Sequence, residues 1–350
     1  MAARLPDRTA DHSRRATEWC NNFAERHTLY SNRIGIGFAR LLNWAGRHLK
    51  PEGQGYPAFL AAQPQMLPNK VRRTLWIGGV IATAALLLVP AQAEQPAPTS
   101  YPSGILAAID HRVPISPDAW PWISIGRVNV SAGLGRNYCS GTLIGPRQVL
   151  TAAHCLFDTR LNTWVRPQQV HFVAGQSRDG EFRGHAVAVM FVTDPDFTFA
   201  VEERPRYDEV RADMLARDWA IITLADCLSL KPILWRIIRK ADVPSAVEPG
   251  EVARAGYSQD RPFLLSVHRG CSVKTDVPQP GSLLHQCDSM PGDSGSPILL
   301  LRGEEVNVLG LHTAVQQSFV PGVGYRPISA RGVSASAFAA AAASAVAKNP

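Results

Sequence analysis

Apolar residues in this chain gather into short runs, separated by polar and turn-forming residues. Residues 122–128, 141–146, 148–153, 170–175 and 185–192 are each of strand length and bounded by Gly, Pro or Asn. Residues 251–257, 296–301 and 306–312 repeat the habit in the second half. No long amphipathic helix interrupts them. The one helix the pattern predicts is residues 333–348, whose Ala content would equally suit a loose tail. The expectation is an all-β protein of two barrel-sized units, without an internal repeat.

With 350 residues, 45% of them hydrophobic, the chain can bury a sizeable core and is unlike a disordered protein. The formal charge of +7 divides unevenly: 12 Lys/Arg stand against 5 Asp/Glu in residues 1–93, and 24 of each follow in residues 94–350. The basic excess therefore belongs to the first quarter, and the remainder offers no net electrostatic case for nucleic acid.

That first quarter contains the parts of a secretory signal. Lys70, Arg72 and Arg73 precede an apolar stretch at 74–89, and Ala91 and Ala93 offer small residues at a cleavage site. A start at Met66 predicts a signal peptide over 66–93, with the exported chain beginning at Glu94. Residues 1–65 then read as an over-long start, or as a cytoplasmic extension if the apolar run serves as an anchor. The run is short for a bilayer and contains Gly78 and Gly79. Residues 94–104, rich in Pro, Ser and Ala, read as a flexible pro-segment before folded units at 105–235 and 236–350. The protein is expected to be secreted or periplasmic, with no stable membrane association once the signal is cleaved.

Cys20 precedes the signal, and Cys139, Cys155, Cys227, Cys271 and Cys287 follow it. Export predicts disulfides, and five cysteines leave one over. No two form a C-x-x-C pair, which argues against a structural zinc site. The polar stretch 193–217 reads as a long surface loop. Its Asp194, Asp196, Glu202 and Glu203 lack the spacing of a calcium loop and are read as a solvated face.

The chemistry sits in three short segments: LTAAHC ending at Cys155, RDWAIITL from Arg217, and PGDSGSP from Pro291. Singly each is bland, because a His beside Ala and Cys is usually a core residue and Gly-Asp-Ser-Gly is common in turns. Together, in this order, they resemble the chymotrypsin-like serine proteases over residues 105–345. The resemblance implies two packed six-stranded antiparallel β-barrels with a C-terminal helix, the first carrying His and Asp and the second carrying Ser.

It also implies roles. A serine hydroxyl is a weak nucleophile, so Ser294 needs a neutral imidazole, His154, to take its proton. Asp218 would select the useful tautomer and stabilise the imidazolium. The N–H groups of Gly292 and Ser294 would face the oxyanion. Cys139–Cys155 and Cys271–Cys287 would be the bridges, leaving Cys227 as a small buried hydrophobe. The implied activity is hydrolysis of protein or peptide substrates through an acyl-enzyme, with no cofactor or metal. An inactive protease-like binding protein and a membrane-anchored protease are the other readings, and the presence of all three catalytic residue types speaks against the former.

Ser296 after Gly295, the Gly-Leu-His-Thr segment from Gly310, and Asp110-His-Arg-Val before Trp122 look more like the bacterial branch that includes the glutamyl endopeptidases. The resemblance places Asp288, Ser289, His312 and Thr313 at the substrate pocket. Asp288 suggests a basic substrate side chain, whereas His312 and Ser289 suggest an acidic one, and the latter is preferred. Asp293 suggests activation by cleavage within residues 105–113, with Arg112–Val113 as one plausible bond, because trypsin-like enzymes pair this residue with a new α-ammonium. The other expectation is that Asp293 pairs with a nearby side chain or backbone N–H.

Overall fold

A computed structural model describes residues 110–132, 135–198, 214–237, 251–274, 280–321 and 324–348. The expected extension at 1–65, signal at 66–93 and pro-segment at 94–104 lie outside the described residues, as do Cys20, Glu202 and Glu203.

The chain enters through a two-residue strand, β1 (Val113–Pro114), which pairs far along the sequence rather than with its neighbours. Six strands then close a barrel: β2 (Ile125–Ala132), β3 (Gly135–Leu143) and β4 (Gln148–Thr151), followed after a small β5–β6 ribbon (Phe157–Asp158, Thr163–Trp164) by β7 (Val170–Ala174), β8 (Gly184–Thr193) and β9 (Ala220–Leu224). Their order is β2-β3-β4-β9-β8-β7. Alternation explains the closure: Val170, Phe172 and Ala174 point inward while His171 and Val173 face out. Val128, Leu143, Val149, Ile222 and Leu224 fill the interior with them.

The second half contributes β10 (Val252–Tyr257), β11 (Leu265–Arg269), β12 (Val273–Lys274), β13 (Ser282–His285), β14 (Pro297–Arg302), β15 (Glu305–Val320) and β16 (Gly324–Ser334). Where a second six-stranded barrel was expected, these strands and β1 form one antiparallel sheet of eight, ordered β1-β11-β10-β14-β15-β16-β13-β12. Six strands are extended at the edges by two short ones, and β1 reaches its place because Val113 pairs with Val267. Helix α1 (Ala335–Lys348) closes the chain, burying Phe338 and Ala342 one turn apart. One apolar cluster joins the barrel to the sheet and helix through Ile125, Leu150, Trp219, Tyr257, Leu311 and Phe338.

Two boundaries differ from expectation. Trp122–Ser124 form a 3-10 turn, so the first barrel strand begins at Ile125. β15 continues past His312 to Val320, because Gln316 and Gln317 carry on pairing with β16.

Cys139 bonds Cys155 and Cys271 bonds Cys287. Cys227, expected to be unpaired and buried, is instead half-exposed in the turn after β9 and is itself disulfide-bonded. Asp194 and Asp196 are both held by the Arg217 guanidinium at 2.8 Å, so these carboxylates have a cation already. Among the described residues no helix is long and apolar enough to cross a membrane.

Candidate active site

His154 sits in the 3-10 turn Ala153–Leu156, three residues past the buried strand β4. β4 pairs with β9, setting Thr151 against Ala220, so Asp218 emerges beside that turn. The carboxylate is fully buried and both its oxygens serve one residue: Oδ1 accepts the His154 backbone N–H at 2.9 Å and Oδ2 meets Nδ1 at 2.7 Å. This contact puts the proton on Nδ1 and leaves Nε2 as the basic nitrogen. Burial pushes the imidazole pKa down, but the charge of Asp218 and its hydrogen bond outweigh this and raise it above its ordinary 6.5.

Ser294 lies in the turn before β14. Gly292 and Gly295 flank it at φ 93° and 80°, a region that strains any other residue. A Cβ at Gly295 would collide with Ser140 O and Thr151 Oγ1 and crowd Ala152 N, so the serine turn presses on the chain two residues before His154. Ser140 fastens it there. Its N–H donates to Ser294 O at 2.8 Å, its Oγ donates to Gly292 O at 3.0 Å, and its O accepts from Thr151 Oγ1 at 2.8 Å. The N–H groups of Asp293, Gly295 and Ser296 donate to Met290 O, His312 O and Asp293 O. Those of Gly292 and Ser294 have no acceptor among the described residues, which is the arrangement an incoming oxyanion requires.

Asp293 is fully buried and does not wait for a partner. Oδ2 accepts from Ser258 Oγ at 2.7 Å and Met290 N–H at 2.8 Å. Oδ1 lies 2.5 Å from Arg254 Nη1, off the line of a good hydrogen bond, so this contact is chiefly one of charge. Burial pulls the Arg254 guanidinium below its ordinary range, against the pull of Asp293.

At the expected pocket, His312 on β15 is 3% exposed, and its backbone bonds both Gly295 and Ser296. His285, a residue the sequence reading missed, lies 3.0 Å from it, Nε2 to Nδ1. The Cys287 N–H donates to His285 Nδ1 at 3.2 Å. His285 must therefore carry its proton on Nε2 and give it to His312 Nδ1, which leaves the His312 Nε2–H without a partner among the described residues. Burial, with Arg254 second, lowers the His285 pKa to about 3; burial, then His285, sets His312 well below 6.5. Both rings are neutral.

Ser289 Oγ is buried with no hydrogen-bond partner, and Thr313 Oγ1 donates to Arg331 O at 3.3 Å. Asp288, 1% exposed, is already engaged: Oδ2 accepts the His111 N–H at 2.9 Å and lies 3.0 Å from His111 Nδ1, while its own N–H donates to His268 Nδ1 at 2.8 Å. Donor atoms of His111, His268 and Asp288 fall within 4.8 Å of one another, the spread of a metal site. His268 Nδ1 already accepts the Asp288 N–H, and Asp288 Oδ2 already accepts from His111. Cys139, His154 and Cys155 also cluster, but both sulfurs are in the bridge.

The sequence pointed to His154, Asp218, Ser294 and Gly292, and gave no sign of Ser140, Arg254, His268 and His285. None of those four carries a local motif; each matters only through pairing between distant strands.

Residues 139–311 match the model of a trypsin-like peptidase domain. Serine protease 23 of Rattus norvegicus is 32% identical over 166 residues, covering 46% of this chain and 42% of that protein. The Homo sapiens protein of the same name is also 32% identical, over 176 residues with the same coverage. The chain thus spans less than half the length of these relatives. The proclotting enzyme of Tachypleus tridentatus is 26% identical over 230 residues, 58% of each chain. Among solved structures, a Glu endopeptidase in complex with MPD superposes with a TM-score of 0.52 at 18% identity, covering 69% of this chain and 100% of the other.

Proposed function

This chain has a trypsin-like serine protease fold, and we propose that it works as a secreted serine endopeptidase that cleaves peptide bonds beside acidic side chains. The observation that carries the reading is the conjunction at the serine turn: a histidine whose ring and backbone N–H are each held by one oxygen of Asp218, a serine turn pinned two residues upstream of it, and two N–H groups left open at Gly292 and Ser294.

Ser294 Oγ attacks the carbonyl carbon as His154 Nε2 takes its proton, and the negative oxygen settles on the Gly292 and Ser294 N–H groups. The imidazolium, stabilised by Asp218, then gives the proton to the leaving amine. Water repeats the sequence on the acyl-enzyme. Basic and acidic substrate choice separate on charge: Asp288 Oδ2 is already engaged by the His111 backbone N–H and ring, whereas the His312 Nε2–H and Ser289 Oγ remain to donate to a carboxylate. Export fits the disulfides.

A fluorophosphonate probe should label Ser294, and Ser294→Ala and His154→Ala should each abolish labelling. Labelling that survives Ser294→Ala would remove the proposal. A peptide-library digest read by mass spectrometry should show Glu or Asp before the cut, and cuts after Arg or Lys would overturn the acidic preference alone.

A further inference from the structure

Among the described residues, Arg127 is a cation without a paired anion. It stands on β2 directly across from Ser140, the residue that pins the serine turn. Its guanidinium lies 4.0 Å over the Tyr138 ring and 5.0 Å from the ring of Phe263, which is 45% exposed. Among the described residues the buried Nε has no hydrogen-bond partner, and Nη1 has only a long 3.4 Å contact with Gln176 Oε1. Among the described residues no carboxylate pairs with it. The buried Arg112 and Arg254, by contrast, each have one or more carboxylates against them. Burial lowers the Arg127 pKa, and only Tyr138 and Tyr257 act against this. An arginine nevertheless remains charged, so the group keeps an unmet demand for a negative partner.

Its position relates it to the reaction proposed above, on which the inference rests. The Tyr138 ring approaches within 3.0 Å of a Cβ placed on Gly292, so this aromatic group borders the oxyanion position. Tyr138 is followed by Cys139, whose bridge partner Cys155 has its sulfur 3.7 Å from His154 Nε2. The leaving amine takes its proton from that nitrogen, so the chain attached to it begins beside the bridge. The pocket residue His312 instead holds the serine turn through Gly295, on its other flank.

We infer that Arg127, held between Tyr138 and Phe263, is a carboxylate-binding subsite for the part of the substrate that follows the scissile bond. The ligand is an Asp or Glu side chain within the first residues after the cut, or the terminal carboxylate of a short peptide. Planar stacking keeps the guanidinium fork oriented, which favours a bidentate carboxylate over a diffuse charge.

The test uses the full exported chain and internally quenched peptides, amidated at the C-terminus, that differ only in Glu, Gln or Lys at the second residue after the cut. Each variant is referenced to its own rate on a coumarin amide, which has no residue there. The wild type should prefer Glu over Lys by about tenfold in kcat/KM, Arg127→Gln should level the three, and Arg127→Lys should keep part of the preference. A Gln peptide with a free C-terminus distinguishes the terminal carboxylate from the side chain. Equal turnover of Glu and Lys peptides by the wild type would overturn the inference, as would a preference unchanged in Arg127→Gln or untouched by molar salt. Anisotropy with Ser294→Ala measures the same preference as binding. It stands apart from catalysis, so a failed triad and a failed subsite give different results.

Discussion

Arg254 and Asp293 are both wholly buried and meet at 2.5 Å, so the carboxylate one residue before Ser294 carries its counter-charge within the fold. The sequence offered an α-ammonium from a cleaved terminus as one partner and a neighbouring side chain as the other. The geometry favours the side chain. Because Asp293 also accepts the Met290 N–H, this charge pair braces the turn that presents Gly292 and Ser294.

Removing one charge from that pair should be far worse than removing both. Arg254→Met leaves a buried carboxylate uncompensated and should destabilise the fold by roughly 3–5 kcal/mol while collapsing turnover. Arg254→Met with Asp293→Asn should recover much of the stability and little of the activity. Urea unfolding of the three proteins checks the first half. Equal loss in single and double variants would show that the pair does not act as a unit.

In the proposed mechanism the His154–Asp218 contact sets the acid limb of activity. The imidazole must be neutral to act as base, and its pKa lies above 6.5, so kcat/KM should rise with pH through a midpoint above that value. Asp218→Asn removes the charge that raises it and should shift the midpoint downward while lowering kcat by about four orders of magnitude. Stability has the opposite sign: the pair contributes fully below pH 6.5, and its contribution fades as pH rises through the raised value. A pH-rate profile with a midpoint unmoved by Asp218→Asn would contradict the assignment.

The legibility of this chain follows the range of the forces involved. Strands with local alternation, such as β7, and motifs with fixed neighbours, such as Gly-Asp-Ser-Gly, could be read directly. β11 and β16 could not: Leu265-Ser-Val-His-Arg offers only two apolar positions, and β16 carries Pro327 among the charged Arg326 and Arg331. Pairing with β10 and β15 overrides those preferences. Arg254 sits in a run read as a strand, yet nothing local says that its charge is turned inward to Asp293. Cys227 was misread because counting the cysteines of residues 94–350 gives a parity and not a pairing.

The neutral pair His285 and His312 should make the fold acid-sensitive. Unfolded, each takes up a proton near 6.5, whereas His285 in the fold resists until about 3 and His312 is also well depressed. The unfolded state therefore holds more protons across this window, and stability must fall as pH drops from 6.5 toward 3, by roughly 3–5 kcal/mol from His285 alone, with His312 adding in the same direction. His285→Leu removes one of the two groups and should flatten the slope. It should also free His312 Nδ1 and weaken cleavage beside acidic side chains. Denaturant midpoints at pH 7, 5.5 and 4.5 would reveal the difference, and parallel slopes for the variant and wild type would count against a buried neutral pair.

The Arg112–Val113 bond, one plausible activation cut by sequence, is poorly placed for a protease. Arg112 is 4% exposed. Its guanidinium holds Asp110 and Asp260, and its carbonyl accepts from Arg261 Nη1 at 3.0 Å. Val113 pairs with Val267 in the sheet, and His111 caps Asp288 behind the pocket. A cut here would withdraw the His111 cap and release a clamp instead of supplying an ammonium to a carboxylate that Arg254 already serves. The expected outcome is that a chain starting at Glu94, confirmed uncut by intact mass, turns over substrate as fast as one starting at Asp110. A chain starting at Val113 should be less stable and slower, because Asp260 loses Arg112, Asp288 loses His111, and Arg261 loses both Asp110 and the Arg112 carbonyl. Arg112→Ala in the uncut chain should lower the unfolding midpoint in the same direction. Activity that appears only after cleavage within 105–113 would restore the zymogen and would make the Arg254–Asp293 pair a feature of the resting form.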